Sequence, residues 1–405
     1  MEVGEYTTPR AYAAHFLSFF NVDCLRLPTF YATVNRGLED VSAWEVQSLL
    51  GVKPKLGVGR IFFDSDLRGA LKLNLASRTL HRVVMVLLKA KVSSLDDIYR
   101  EALSIDYTSL IDSDQSFAVK AERKGAHPFT SLDIASKVGQ AIIDSYRSVK
   151  GSRLKVDLKG PEVIVECVLR DEDFTLGLDL TGYSLHMRNY RVYDHPAALK
   201  STIASSMILL SNWEHDAPLL DPMCGGGTIP IEAALIARRV PPGVYRRDFA
   251  YRRLRFIERE LEVKVVEELL HEVNLDLYPI YGIDCSPKHL KGAVLNARSA
   301  GVDDTVKLRL GDALRLKEHL DFTPSHIIVN PPYGLRSGPS LKKIGEFYHR
   351  LLASFRQAAR GSKLIAITSS HERLLRAIRD LGLVVLWTRW LMHGKLTTHI
   401  ICCEL

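Results

Sequence analysis

Leu219-Leu220-Asp221-Pro222-Met223-Cys224-Gly225-Gly226-Gly227-Thr228 passes from a short apolar run through a glycine turn into Ile229-Pro230-Ile231-Glu232-Ala233-Ala234-Leu235-Ile236-Ala237, which reads as helix. Strand, glycines and helix in this order predict one turn of a doubly wound α/β sheet. Glycines let the backbone approach a ligand, and a helix N-terminus offers free N–H groups. Two common alternatives fail on spacing. A phosphate-binding loop ends in Gly-Lys-Ser/Thr, which is absent here. The dinucleotide fingerprint G-x-G-x-x-G does not fit the contiguous Gly225, Gly226 and Gly227. Asp221 at the strand end would repel a pyrophosphate and suits an ammonium instead.

Downstream, two further predicted strands end in acid. Tyr278-Pro279-Ile280-Tyr281-Gly282-Ile283-Asp284 places Asp284 where doubly wound folds accept ribose hydroxyls. Thr305-Val306-Lys307-Leu308-Arg309-Leu310-Gly311-Asp312-Ala313 places Asp312 to accept from an adenine amine. A fourth run, His326-Ile327-Ile328-Val329, reads as a buried strand and delivers Asn330-Pro331-Pro332-Tyr333-Gly334 to its carboxyl end. The Asn330 side-chain oxygen and the Pro331 carbonyl can both accept from an exocyclic NH2. Prolines remove local N–H donors, so the turn stays rich in acceptors. Tyr333 offers a ring face to a planar base. An ammonium at Asp221, a carboxylate at the helix N-terminus, a ribose at Asp284 and an adenine at Asp312 together describe S-adenosylmethionine.

These motifs resemble those of the class I S-adenosylmethionine-dependent methyltransferases that modify the N2 amine of guanosine in RNA and carry a THUMP domain. The chain is most similar to the archaeal tRNA (guanine-N2) methyltransferases acting in the acceptor stem. It is also similar to the methyltransferase half of the bacterial large-subunit ribosomal RNA guanine-N2 enzymes. The resemblance rests on Asp221 to Thr228, on Asn330 to Gly334 and on an upstream signature. That signature is Ser184-Leu185-His186-Met187-Arg188-Asn189-Tyr190-Arg191 followed by His195-Pro196-Ala197-Ala198-Leu199-Lys200. The family often has Gly-Ser-Gly-Thr where this chain has Gly225-Gly226-Gly227-Thr228, a change that keeps a small backbone. The resemblance implies that His195, Pro196, Ala197, Ala198 and Leu199 line the cofactor pocket. Asp221, Met223, Cys224, the glycines, Thr228, Asp284, Cys285, Asp312, Ala313 and Asn330 join them. It implies a catalytic set of Asn330, Pro331, Pro332 and Tyr333, and a tRNA substrate held at its 3' end by the THUMP domain. Ribosomal RNA as substrate, an adenine or protein amine, and a non-catalytic RNA-binding protein with a vestigial pocket are the competing readings. The intact Asp221, Asp284, Asp312 and Asn330 argue against the last.

The chain of 405 residues suits two or three domains, and its formal net charge of +7 favours a polyanionic partner. No run of eighteen apolar residues occurs, and Met1-Glu2-Val3-Gly4-Glu5 lacks the basic start of a signal peptide. The six cysteines are scattered without metal-ligand spacing, so no metal is expected. Adjacent Cys402 and Cys403 read as buried thiols, and Cys224 as a backbone contact rather than a nucleophile. The expectation is a reduced, cytoplasmic monomer.

Four segments follow. Residues 1–28 form an extension with an aromatic helical patch from Tyr12 to Phe20. Residues 29–91 alternate strand (30–34), helix (41–50), strand (60–63), helix (71–80) and strand (83–88), which predicts a ferredoxin-like unit. Residues 92–185 form the THUMP domain, with strands at 117–123, 154–158, 162–167 and 174–180 and an amphipathic helix over 131–149. Lys120, Arg123 and Lys124 lead its basic residues and are the candidate RNA contacts. Residues 186–405 form a Rossmann-like methyltransferase domain with a seven-stranded mixed sheet, closed by an antiparallel pair at 383–387 and 397–403. Between Asp221 and Asp284 lies more chain than one strand–helix–strand unit needs. Its arginines Arg238, Arg239, Arg246, Arg247, Arg252, Arg253 and Arg255 read first as the solvated face of a structural insertion and second as a phosphate contact. A helix is predicted over 258–274.

Overall fold

One long strand organises the N-terminal half. In the computed structural model, which describes residues 27–244, 246–334 and 340–405, β1 (Thr29–Val34), α1 (Glu39–Leu50), β2 (Lys55–Gly57), β3 (Arg60–Asp64) and α2 (Leu67–Ala76) lead to β4 (Leu80–Lys91). Then come α3 (Leu95–Leu103), β5 (Ser116–Lys124), α4 (Ser131–Lys150), β6 (Lys155–Val156), β7 (Val163–Arg170) and β8 (Asp173–Asp179). β4 pairs antiparallel with β1 on one side, Met85 opposite Phe30, and with β8 on the other, Val84 opposite Asp179. The ferredoxin-like and THUMP strands therefore share one sheet, β2-β3-β1-β4-β8-β7-β5-β6 among the described residues. The segment from Tyr12 to Phe20 lies outside those residues.

The helix expected over 71–80 sits four residues earlier. Asp66 starts it by accepting from the Gly69 amide at 2.7 Å. It stops at Ala76 because Glu45 captures the Ser77 hydroxyl (2.7 Å), the Arg78 amide (2.7 Å) and the Thr79 hydroxyl (2.6 Å). Leu80 is thereby freed to open β4. α3 was not anticipated; a capping box between Ser94 and Asp97 nucleates it.

The C-terminal half contains α5 (Ser201–Ser211), β9 (Leu219–Asp221), α6 (Thr228–Ala237), α7 (Arg259–His271), β10 (Ile280–Asp284), α8 (Pro287–Ser299), β11 (Val306–Leu310) and β12 (His326–Val329). α9 (Ile344–Ala358), β13 (Lys363–Thr368), α10 (His371–Asp380), β14 (Val384–His393) and β15 (Leu396–Glu404) complete it. The sheet order is β11-β10-β9-β12-β13-β15-β14, with β15 antiparallel to both its neighbours, which is the expected seven-stranded mixed sheet. Every residue of β12 and of α6 is buried, as a central parallel strand and the helix covering it require.

The halves are joined by backbone and side chain. The Met392 amide donates to the Arg36 carbonyl at 2.9 Å, and Arg389 forks onto Asp40. Gly37 has φ 96° and lies against the Trp390 carbonyl, so a side chain there would collide with β14. The Arg-rich insertion docks on the N-terminal half. Its Phe249, Tyr251, Leu254, Val265 and Leu269 enter the same core as Phe117, Tyr146 and Leu180.

Candidate active site

β9 lies between β10 and β12 and is parallel to both, while the chain runs outward from it in opposite directions. Strand order thus reverses between β9 and β12, and a crevice opens above their carboxyl ends. Asp221 closes β9, Asp284 closes β10, Asp312 follows β11, and Asn330 follows β12. The four strand-end residues singled out in the sequence all line this one edge.

The glycine turn is fixed from β10. The Cys224 amide donates to the Ile283 carbonyl at 2.9 Å, and the Gly225 amide donates to Asp284 Oδ2 at 2.9 Å. Asp284 Oδ1 accepts from the Ser286 amide at 2.8 Å. Each oxygen has one bond and keeps capacity for another. Gly225 and Gly227 have φ of 53° and 82°, which other residues adopt at a cost. The His195 ring covers the turn: a Cβ on Gly226 would sit 3.3 Å from the Cβ of His195 and 3.5 Å from Asn296 Nδ2. Cys224 is buried against Gly282, and burial pushes its thiol up, which suits packing rather than nucleophilic attack. Cys285 is exposed at the crevice rim.

Three residues of this lid went unread in the sequence. Asn296 of α8 accepts from the Tyr193 amide (2.8 Å) and donates to the carbonyls of Tyr193 (3.0 Å) and Gly226 (2.9 Å). Tyr193 in turn shares a 2.7 Å hydrogen bond with His289, whose ring meets His195 edge-on at 4.2 Å. Asn296 therefore ties the 193–197 segment to the glycine turn. Only its position on the helix after Asp284 hinted at this. Of the segment expected over the cofactor, Pro196 and Ala197 are exposed at the crevice, whereas Leu199 points into the core with Ile203 and Met207. Ala313 is also a core residue. Met223 is partly buried and packs against the same core. Asp312 caps the turn that follows, accepting from the Leu314 amide at 2.9 Å.

The upstream signature has a structural explanation. Arg188, Tyr190 and Ser205 converge on Glu232 of α6 at 3.1, 2.9 and 2.6 Å. Arg191 bonds the Leu199 carbonyl and the Thr228 hydroxyl, each at 3.1 Å. The signature bolts the lid segment to the helix that begins at the glycine turn.

The Asn330 turn is held from behind. Tyr348 donates to the Pro332 carbonyl at 2.9 Å, and the Ser370 hydroxyl donates to the Tyr333 carbonyl at 2.9 Å. Among the described residues the Pro331 carbonyl has no hydrogen-bond partner. Asn330 Nδ2 reaches the Ala197 carbonyl at 3.4 Å, and the Tyr333 hydroxyl donates to Asn330 Oδ1 at 2.8 Å. The side-chain oxygen thus faces a fixed direction with a lone pair to spare. Tyr333 is a positioning group as well as a ring face, which the sequence reading did not include.

The crevice lines up acceptors at each strand end and a side-chain-free glycine cradle beside them. An ammonium, two ribose hydroxyls and an adenine amine are all donors, so this set fits S-adenosylmethionine. Fold and site together define a class I S-adenosylmethionine-dependent methyltransferase.

Comparison with known proteins narrows the class. Residues 188–399 match the RMKL-like methyltransferase domain family, 92–179 the THUMP domain and 29–84 the RlmL ferredoxin-like domain. A protein of Methanocaldococcus jannaschii named tRNA (guanine(6)-N2)-methyltransferase is 40% identical over 92% of this chain and 98% of its own length. The protein of that name from Archaeoglobus fulgidus is 43% identical over 92% of this chain and 91% of its own. The crystal structure of SMU.472 complexed with SAH superposes with a TM-score of 0.84 at 26% identity, covering 93% of this chain and 98% of that one. The chain belongs to the family of THUMP-containing, RMKL-like methyltransferases that includes the archaeal tRNA (guanine(6)-N2)-methyltransferases.

The candidate RNA residues do not share one face. Lys120 and Lys124 are exposed on the side of β5 that also carries Glu122, whereas Arg123 lies on the other side and donates to the Gly125 carbonyl at 3.1 Å. The insertion's arginines are mostly occupied. Arg238, 1% exposed, forks onto Asp304 at 2.7 and 2.8 Å. Arg246 bonds Asp248 at 2.7 Å, Arg252 bonds Glu262 at 2.8 Å, and Arg255 bonds Asp114 at 2.8 Å. Arg239, Arg247, Arg252, Arg253 and Arg255 are exposed, the last three while bonded. The insertion is chiefly a structural bridge, as the first reading had it.

Proposed function

We propose that this protein transfers the methyl group of S-adenosylmethionine to the exocyclic N2 amine of a guanosine in tRNA, in the acceptor stem, giving N2-methylguanosine in the cytoplasm, and that it acts as a monomer. The observation that carries this reading is the acceptor pair at Asn330 and Pro331, set beside the glycine turn. The chain is also matched along nearly its whole length by relatives named for this reaction.

Asp221, Asp284 and Asp312, the glycine turn and the His195–Ala198 segment would hold the cofactor. When bound, it supplies an electrophilic methyl group. The amine of guanine is a poor nucleophile because its lone pair is delocalised into the ring. Asn330 Oδ1 and the Pro331 carbonyl each accept one of its N–H bonds and so fix the direction of the lone pair. Their negative ends stabilise the positive charge that grows on nitrogen during attack. A paired guanine presents its amine inside a duplex, so the base is extruded and stacks on Tyr333. The test is mass spectrometry of nucleosides from tRNA incubated with enzyme and labelled cofactor, run beside tRNA carrying inosine at the modified position. Inosine lacks the N2 amine. Equal labelling of both tRNAs at that position would exclude N2 as the target.

Asp221 adds a second expectation. It is 2% exposed, its Oδ1 accepts from the Met223 amide at 3.0 Å, and burial pushes its carboxyl well above the usual range. Below about pH 4 the acid is protonated in both folded and unfolded chains and costs nothing. As pH rises the unfolded chain ionises first, and the cofactor-free enzyme loses stability up to the folded pKa. Asp221→Asn is therefore expected to raise the melting temperature of the cofactor-free protein, more at pH 8 than at pH 5. It should also weaken S-adenosylmethionine binding at least tenfold, a loss of about 1.4 kcal/mol or more, measured by calorimetry. A melting temperature at pH 8 below wild type would contradict this account.

A further inference from the structure

Where the N-terminal sheet meets the start of α5, a cleft of about 270 Å³ is lined by Arg36, Arg60, Lys124, Arg170 and Lys200, with Glu122 among them. Its charges do not balance. Glu122 is shared by Arg60 at 3.3 Å, Lys124 at 3.2 Å and Arg170 at 3.7 Å. Arg36 stands over the Trp390 ring at 5.6 Å. Burial, then the neighbouring Arg60 and Arg36, hold the Arg170 guanidinium below its usual range, so these cations feel one another. Arg60 is 5% exposed, and its Nε has no acceptor among the described residues. Arg60 also lies over the Tyr31 ring at 5.2 Å, and five cations around the one carboxylate Glu122 leave the cleft with an excess of positive charge that an anion would offset.

Sequence spacing limits how far the cleft's Lys200 can lie from the Asn330 turn. Lys200 is three residues beyond Ala197, whose carbonyl bonds Asn330. Three residues span about 11 Å at most, a length one nucleic-acid strand can bridge. We propose that this cleft holds a backbone phosphate of the RNA substrate and so registers the strand whose guanosine reaches Asn330. The proposal rests on the reading of the enzyme as acting on tRNA. Phosphate contacts position a strand without reading its sequence, which suits a site beside the reacting nucleotide.

Two sets of variants test it by tRNA binding across a salt series. Arg36→Gln combined with Lys124→Gln replaces two exposed cations. It is expected to weaken binding about tenfold and to lower the slope of log affinity against log salt by about one to two. Glu122→Gln removes the competing carboxylate and is expected to tighten binding by about threefold, an outcome that a damaged fold does not produce. Arg239→Gln with Arg247→Gln, exposed but outside the cleft, should leave binding unchanged. Cofactor affinity should stay at its wild-type value in all of them, and melting temperature in the two double variants, whereas Glu122→Gln should melt lower because it removes the carboxylate paired with the buried Arg60. Wild-type protein that methylates tRNA while Glu122→Gln and the double variant bind it unchanged would overturn the cleft alone. Wild-type protein that neither binds nor methylates tRNA would overturn both readings. If the double variant loses binding of inorganic phosphate but not of tRNA, the cleft serves a free anion and the proposal fails.

Discussion

Asn330→Ala is expected to slow single-turnover methylation by about 10²–10³-fold, in line with the loss of one preorganised group at a developing charge. S-adenosylmethionine affinity should change little, because Asp221, Asp284 and the glycine turn remain. The lost carbonyl acts on the amine as it becomes cationic, so the defect should fall on turnover more than on substrate binding. The structure also sets the order of the Tyr333 variants. Read as a stacking residue alone, Tyr333 would tolerate Phe almost freely. Its hydroxyl, however, fixes Asn330 Oδ1 at 2.8 Å. Tyr333→Phe should therefore cost roughly fivefold in rate, about 1 kcal/mol. Tyr333→Ala should cost more, since the stacking face goes too, worth about 1–3 kcal/mol. An Asn330→Ala enzyme that keeps more than a tenth of the wild-type single-turnover rate would remove the amine-orienting role.

What the sequence made legible was local. Three of the strands that carry a site residue are short apolar runs and the fourth, β11, alternates apolar and basic residues; each has a single Asp or Asn at its exit, and the four exits converge on one edge. What stayed hidden was the product of pairing at a distance. Nothing in the β4 segment announces that its second edge will take β8 and fuse two units into one sheet. The lid clamp is hidden for the same reason: Asn296 looks like any polar residue on a helix until Tyr193 and Gly226 arrive beside it. The shift of α2 has a smaller cause. The apolar spacing of residues 71–80 outweighed the Asp66 cap, while the stop signal came from Glu45, far back in the chain. The arginines of the insertion show the limit of charge counting. Arg238, Arg252 and Arg255 find acidic partners on other elements and Arg246 pairs with the nearby Asp248, so a run that looks like a free phosphate surface is largely ion-paired, although only Arg238 and Arg246 are buried.

The signature around Arg188 leads to the largest stability effect. Glu232 is fully buried, and its carboxylate takes bonds from Arg188, Tyr190 and Ser205. Burial disfavours its charge, yet Arg188 and the other donors hold its acidity below the usual glutamate range. The folded-state pKa is lowered, so the stabilisation is present above about pH 4.5 and is lost on acidification through the folded pKa. Glu232→Ala strands the Arg188 guanidinium, itself buried, and leaves two hydroxyls unpaired. The expected loss is about 3–5 kcal/mol. For a domain of this size that is roughly a 10 °C fall in melting temperature. Arg188→Met combined with Glu232→Leu removes both charges and should recover much of the loss, because an apolar pair avoids the cost of an orphaned ion. The two variants separate packing from positioning. The same bonds hold the segment leading to His195 against α6, so the double variant should melt near wild type yet bind S-adenosylmethionine more weakly. If Glu232→Ala melts within 2 °C of wild type, the cluster is not what fastens the lid.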